Sequence, residues 1–221
     1  MDNLMRIDGI LTELGGKVTL PEDKSVPTLS ATQEEIKALL DERRIRYLVH
    51  FTDAKNIPSI KEKGILSVEE LNRINAAYEH NDAFRKDNKP DYISLSVSGM
   101  NKYVYRAFRY SARTIEHGVA VVIDAAMLYR EIDTHRIYCN TNAAAAEVKG
   151  GDSLEALAAM YADKIRYSTS YGEIRDINRT DEKRSSYETT DIQAEILWHK
   201  CVPTDYILFY WDLEEDFFYG N

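Results

Sequence analysis

The pattern that most constrains this chain is a set of short runs of β-branched and aromatic residues at 46–51, 92–97, 119–123, 137–139, 195–198 and 206–211. Each has the length of a strand rather than of a helix. Residues 92–97 alternate with period two, while 119–123 are almost wholly apolar. Helical signals fall unevenly between these runs. Thr32 with Glu35 reads as a capping box, and Ile36, Leu39 and Leu40 give the helix behind it one apolar face. Asp53 is placed to cap a short helix that tolerates Pro58 only in its first turns, and Gly64 ends that helix as a left-handed cap. Val104, Phe108, Ser111 or Ala112, and Ile115 recur at helical spacing over 101–116, and Leu and Ala favour a helix over 153–162. Clean strand–helix–strand units are too few for a doubly wound sheet, so the chain reads as α+β.

Residues 1–29 read as an N-terminal appendage, interrupted by Gly15, Gly16, Pro21 and Pro27, and 30–221 as one domain. Within it, 163–190 is poor in aliphatics and rich in Ser, Thr, Arg and Asp, so a long loop is expected there, of the kind that carries function. No run reaches the roughly 18 apolar residues of a membrane helix. The opening residues lack a basic start followed by a small-residue cleavage site, so no signal peptide is expected and the reading is cytoplasmic. Cys139 and Cys201 show no Cys-x-x-Cys spacing and the histidines no His-x-x-x-His spacing, which argues against a metal site and a disulfide framework. A net charge of −9 weighs against indiscriminate nucleic-acid binding but leaves room for a local basic groove.

Three constellations carry possible chemistry. His50 and Thr52 alternate along one strand face, where they would offer hydrogen bonds to a polar ligand; the same pair also reads as a core histidine beside a Ser/Thr turn. Lys102, Arg106, Arg109 and Arg113 share one helical face with Tyr103, Tyr105 and Tyr110 close by, which suits a phosphate backbone with stacked bases and equally an ordinary solvated face. The passage 179–200 brings Arg179, Lys183 and Arg184, then Gln193-Ala194-Glu195, where a carboxylate enters an apolar strand and needs something to hold it. Strand alternation would set Gln193 and Glu195 on one face. A phosphate-binding glycine loop and a Gly-x-Ser-x-Gly elbow are both absent.

Four blocks in register resemble the DarT family of nucleic-acid ADP-ribosyltransferase toxins: HFTDAKNIPSIKEKGILS at 50–67, NDAFRKDNKPDYISLSVS at 81–98, Asn142-Ala143-Ala144, and DIQAEILWHKCVPTDYI at 191–207. They span roughly 46–211. Ser94, Ser96 and Ser98 followed by Asn101 look more like the guanine-modifying branch than the thymine-modifying one, with departures at Gly99, Met100 and Lys102.

The resemblance implies a split β-sheet core around an NAD+ cleft with flanking helices, NAD+ as co-substrate and no metal. It implies that His50 and Thr52 hold NAD+, with Ser94 and Ser96 as further cofactor contacts, that Arg85 helps hold the pyrophosphate or orient the base, and that Glu195 is the catalytic acid. The 163–190 segment looks like the substrate-recognition loop before this glutamate. The implied activity is transfer of ADP-ribose to a base of single-stranded DNA, guanine first. The phosphates would lie against Lys102, Arg106, Arg109, Arg113, Arg179, Lys183 and Arg184, and the base edge against Gln193. A neutralising antitoxin protein is the implied partner. Transfer to a base of messenger RNA in a phage-defence system, a non-catalytic nucleic-acid or NAD+ module, and a protein-directed transferase stay open as alternatives.

Overall fold

The computed structural model describes residues 29–79, 88–97, 117–145, 150–169 and 171–213. Helices are α1 (Ala31–Arg43), α2 (Ile57–Lys63), α3 (Val68–Arg73), α4 (Met127–Arg130) and α5 (Leu154–Ala159). Strands are β1 (Tyr47–Asp53), β2 (Ile65–Leu66), β3 (Tyr92–Val97), β4 (Gly118–Asp124), β5 (Arg136–Cys139), β6 (Gly150–Gly151), β7 (Lys164–Ser168), β8 (Ile174–Asn178), β9 (Glu195–His199), β10 (Cys201–Val202) and β11 (Ile207–Asp212). Each apolar run therefore forms a strand, displaced by a residue or two at its ends. The appendage before residue 29, the 101–116 helix, Arg85, Ser98 and the cations Lys102, Arg106, Arg109 and Arg113 lie outside the described residues.

Seven strands make one antiparallel sheet in the order β11-β4-β1-β3-β9-β5-β6. One face is covered by helices. Leu48, Leu95, Val121, Ile123, Ile196 and Trp198 point to that side and meet Ile36 and Leu40 of α1, Met127 and Leu128 of α4, and Leu157 of α5. The other face carries two separate apolar clusters. One is built on Tyr47, Val49, Phe51, Ala120 and Val122, the other on Tyr92, Cys139 and Leu197. The line between them is the seam between β1 and β3. Among the described residues, Leu48↔Val97 and Val49↔Ser96 are the pairs in register there, and from His50 onward the strands part. This is the split that the resemblance implies, formed inside a single sheet.

Local chemistry departs from the sequence reading at several points. The capping box is Ser30 with Gln33, not Thr32 with Glu35: Ser30 Oγ accepts from Gln33 N–H, and Gln33 Oε1 accepts from Ser30 N–H at 2.8 Å. The two sites have the same residue pattern, and the chain turns at the earlier one because Ser30 holds an extended backbone that the helix interior forbids at Thr32. Asp53 does cap the next turn, accepting from Lys55 N–H at 2.8 Å. Gly64 ends α2 with φ 78° and ψ −174°, an extended positive-φ conformation rather than a left-handed cap. A Cβ there would lie 2.2 Å from the Val202 carbonyl oxygen, so the close approach of β10 requires glycine.

The largest correction concerns 163–190. Instead of one long loop, β7 and β8 pair over five residues each as a hairpin, from Lys164↔Asn178 to Ser168↔Ile174. Ile165 and Tyr167 face inward and are buried, while Lys164 and Arg166 are exposed. Alternation was present but masked by charged residues on the outer face, which a count of aliphatics overlooks. Among the described residues no helix is long and apolar enough to cross a membrane.

Candidate active site

A cavity of about 300 Å³ opens at the parted seam, within the size range of small-molecule sites. His50 and Thr52 of β1 line it, as do Tyr92 and Ser94 of β3 and Glu195 at the start of β9. In a continuous sheet these groups could not meet. His50 and Thr52 share a face with Leu48, on the helix-covered side, whereas Ser94 and Glu195 share a face with Tyr92 and Leu197, on the other. The opening between β1 and β3 lets one cavity reach both.

Side chains replace the missing strand pairing. His50 Nδ1 lies 3.1 Å from the Ser94 carbonyl oxygen and bridges the gap. Thr52 Oγ1 accepts from Asn56 Nδ2 at 2.8 Å, which leaves the threonine proton to be donated elsewhere. The Asn56 amide also clasps the wall segment at Glu79, donating to its carbonyl at 2.7 Å and accepting from its N–H at 2.9 Å.

Glu195 is half-buried, and the carboxylate is held as its entry into an apolar strand demands. Ser94 Oγ donates to Oε2, and Ala143 N–H donates to Oε1 at 2.6 Å. Ala143 belongs to a turn that Asn142 closes by accepting from Ala144 N–H at 2.9 Å. Charge-assisted bonds of this kind are short and orienting. Ser96 faces Glu195 across the β3–β9 register but does not line the cavity.

Gln193 is corrected. It lies in the turn before β9 rather than on the strand, with its N–H donated to Asp191 Oδ1 at 2.9 Å, so alternation does not place it beside Glu195. Arg179 turns toward the protein's own chain. Its guanidinium donates to the carbonyls of Ser185, Ser186 and Glu188 and stands 5.8 Å from the centre of the Tyr161 ring, clamping the segment after the hairpin. Its donors are spent on the protein's own backbone, which leaves little for a phosphate. Burial also pulls its pKa below the usual arginine value. Lys183 is exposed, whereas Arg184 is mostly covered and reaches Glu182 at 3.3 Å.

Neither cysteine lines the cavity; Cys139 is buried, and burial pushes the Cys201 thiol up, away from nucleophilic character. Among the described residues no group of three or more His, Cys, Asp or Glu is disposed to hold a metal ion. Sequence reasoning missed Asn56, the donor role of Ala143, and the buried pair Thr141 and Asp191 behind the carboxylate. A backbone N–H leaves no residue signal, and an Asn or Asp in a turn reads first as turn chemistry.

Residues 49–209 match the family model described as "ssDNA thymidine ADP-ribosyltransferase, DarT". No functionally curated protein matches. Solved structures to which the chain shows similarity include Thermosipho africanus DarTG in complex with ADP-ribose, at 19% identity and TM-score 0.45, covering 73% of this chain and 42% of that one. Thermus sp. 2.9 DarT in complex with ADP-ribosylated ssDNA is similar at 14% identity and TM-score 0.48, covering 72% of this chain and 77% of that one. The same Thermus protein in complex with NAD+ is similar at 17% identity and TM-score 0.46, covering 73% and 79%. This chain thus spans less than half the length of the Thermosipho protein. The family assignment rests on the match over 49–209.

Proposed function

The chain belongs to the DarT family of NAD+-dependent ADP-ribosyltransferases, and on that premise we propose that it transfers ADP-ribose from NAD+ to a base of single-stranded DNA, releasing nicotinamide. The observation that carries the proposal is the Glu195 carboxylate, pinned by Ser94 and Ala143 at a cavity whose opposite wall offers His50 and Thr52. NAD+ supplies the ADP-ribosyl group, and departure of nicotinamide with the bonding electron pair leaves positive charge on the anomeric carbon. Glu195 stabilises that charge, an effect large in a site screened from water. The same carboxylate accepts a hydrogen bond from the ribose and then the proton of the attacking base nitrogen. His50 and Thr52 hold the ribose or carboxamide side, and Arg85 the diphosphate.

Guanine is the proposed base, supported by the likeness of Ser94-x-Ser96-x-Ser98 to the guanine-modifying branch; the matched family description names thymidine. The activity is assigned to 30–221, with the strand's phosphates held by Lys102, Arg106, Arg109 and Arg113. The 163–190 segment is assigned to the incoming base, supported by its likeness to the substrate-recognition loop that precedes this glutamate in the family. A toxin neutralised by an antitoxin protein, acting in the cytoplasm, completes the reading. Incubating the purified chain with NAD+ and with DNA and RNA oligonucleotides of single-base composition, then weighing the products, tests it. A mass gain of one ADP-ribose on guanine-bearing DNA is expected. Gain on thymidine alone reverses the base assignment, gain on RNA alone reverses the substrate class, and no gain with intact NAD+ removes the activity.

A further inference from the structure

Pairing between β5 and β9 ends at Cys139↔Glu195, and beyond it the two chains leave the sheet. A buried polar knot joins their exits. Asp191 is 2% exposed and Thr141 fully buried. Thr141 Oγ1 donates to Asp191 Oδ2 at 2.7 Å, and Gln193 N–H donates to Asp191 Oδ1 at 2.9 Å. The Asp191 carbonyl accepts from Ala194 N–H at 3.0 Å and from Thr189 Oγ1 at 2.7 Å. Thr190 ties the same turn to the end of α5, its N–H donating to the Met160 carbonyl at 2.9 Å and its Oγ1 to that of Ala162 at 2.6 Å. Both arms of the knot run into the catalytic carboxylate. Thr141 leads through Asn142 to Ala143, whose N–H holds Oε1, and Asp191 leads through Gln193 and Ala194 to Glu195 itself.

We propose that Asp191 is a positioning residue for Glu195, resting on the reading of Glu195 given above. Its carboxylate holds the Ala143 N–H through Thr141, and through the Gln193 N–H it holds the turn that leads into β9. The carboxylate is thereby kept in one orientation across the cleft. A neutral side chain would fill the same space at far lower desolvation cost. A carboxylate accepting bonds from two directions has the geometry for fixing two chain segments at once. Displacement of a reacting group by about 1 Å costs roughly 10²-fold in rate, so such a bracket controls turnover without touching substrate.

The test compares Asp191→Asn, Thr141→Val and Thr141→Ser in the full chain. Readouts are kcat and KM for NAD+ across pH, NAD+ affinity by titration calorimetry, and melting temperature. Asp191→Asn and Thr141→Val are expected to lower kcat about 10- to 100-fold with NAD+ KM within about twofold. The acid limb of the kcat profile should move to higher pH, because a looser Ala143 N–H favours the ionised carboxylate less. Thr141→Ser keeps the hydroxyl and should restore wild-type behaviour. The assignment is overturned if folded Asp191→Asn keeps the wild-type kcat and acid limb. Should that variant melt early, Thr141→Ser proving as impaired as Thr141→Val overturns it instead. A wild-type chain that consumes no NAD+ overturns the functional reading itself, and this assignment with it.

Discussion

Strand β1 has two edges that behave differently. Against β4 it pairs without a break from Tyr47↔Asp124 to Asp53↔Gly118, whereas against β3, among the described residues, two residue pairs are in register and none follows Val49↔Ser96 toward Asp53. The β4 edge is apolar on both faces, with Val121 and Ile123 on one and Ala120 and Val122 on the other. At the β3 edge the residues past Val49 are His50 and Thr52, facing a strand that carries Ser94 and Ser96. Backbone hydrogen bonding favours closing both edges equally. The difference is made by side chains: apolar neighbours gain by contact, whereas on the β3 side His50 bonds a carbonyl across the gap and the Thr52 hydroxyl bonds Asn56. The lesson is that this cleft is an interrupted strand pairing, and that polar residues at the interruption are the ones available for chemistry.

Breaking the open side at its centre should have the largest effect. Glu195→Gln is expected to lower transfer by about 10²- to 10³-fold, read from product mass, with NAD+ affinity retained. A wild-type rate in that variant would detach the carboxylate from the chemistry. On the closed side, Leu48→Ala deletes a fully buried side chain. It should cost about 2–5 kcal/mol in urea unfolding. A cost well below that range would show that the unbroken seam is no better packed than the open one.

Gly64→Ala acts where the cavity wall meets β10. With its φ of 78° and a built Cβ 2.2 Å from the Val202 carbonyl, it should lose about 1–3 kcal/mol in thermal melting. His50→Ala sharpens the comparison from the open side, since it should raise the KM for NAD+ about tenfold while leaving the melting point nearly unchanged. A melting point that falls as far as for Leu48→Ala would make His50 a core residue.

The smallest effect is expected away from both seams. Tyr161 is buried, its hydroxyl has no hydrogen-bond partner among the described residues, and Arg43 stands 5.3 Å from its ring centre. Tyr161→Phe should change stability at neutral pH by less than about 1 kcal/mol. Burial pushes this phenol above its ordinary range, so the folded protein keeps it neutral after the unfolded chain has ionised. The stability it contributes is present at lower pH and is lost as pH rises past about 10. The Phe variant should flatten that alkaline slope in denaturant titrations; an unchanged slope would assign it to other groups.

Much of the fold and of the site was legible in the residues alone. Period-two and apolar runs located the strands, Asp53 the short cap and Glu195 the one carboxylate whose sequence surroundings demanded a partner. The hairpin at 164–178 was not legible, because its exposed positions carry Lys164, Arg166, Arg175 and Asp176 and mask the inward Ile165 and Tyr167. Gln193 misled because alternation was extended past the strand's true start, where Asp191 bends the chain into a turn. The setting of Arg179 was not legible, because charge alone does not say whether a guanidinium faces solvent or its own backbone.

By itself the sequence determined most strands of the large sheet and singled out His50, Thr52 and Glu195 as candidates, since side-chain period and polarity are local properties. The tertiary structure alone decided that groups on opposite faces of a sheet share one cavity. That outcome depends on where two strands stop pairing, and pairing is settled by contacts between residues far apart in the chain.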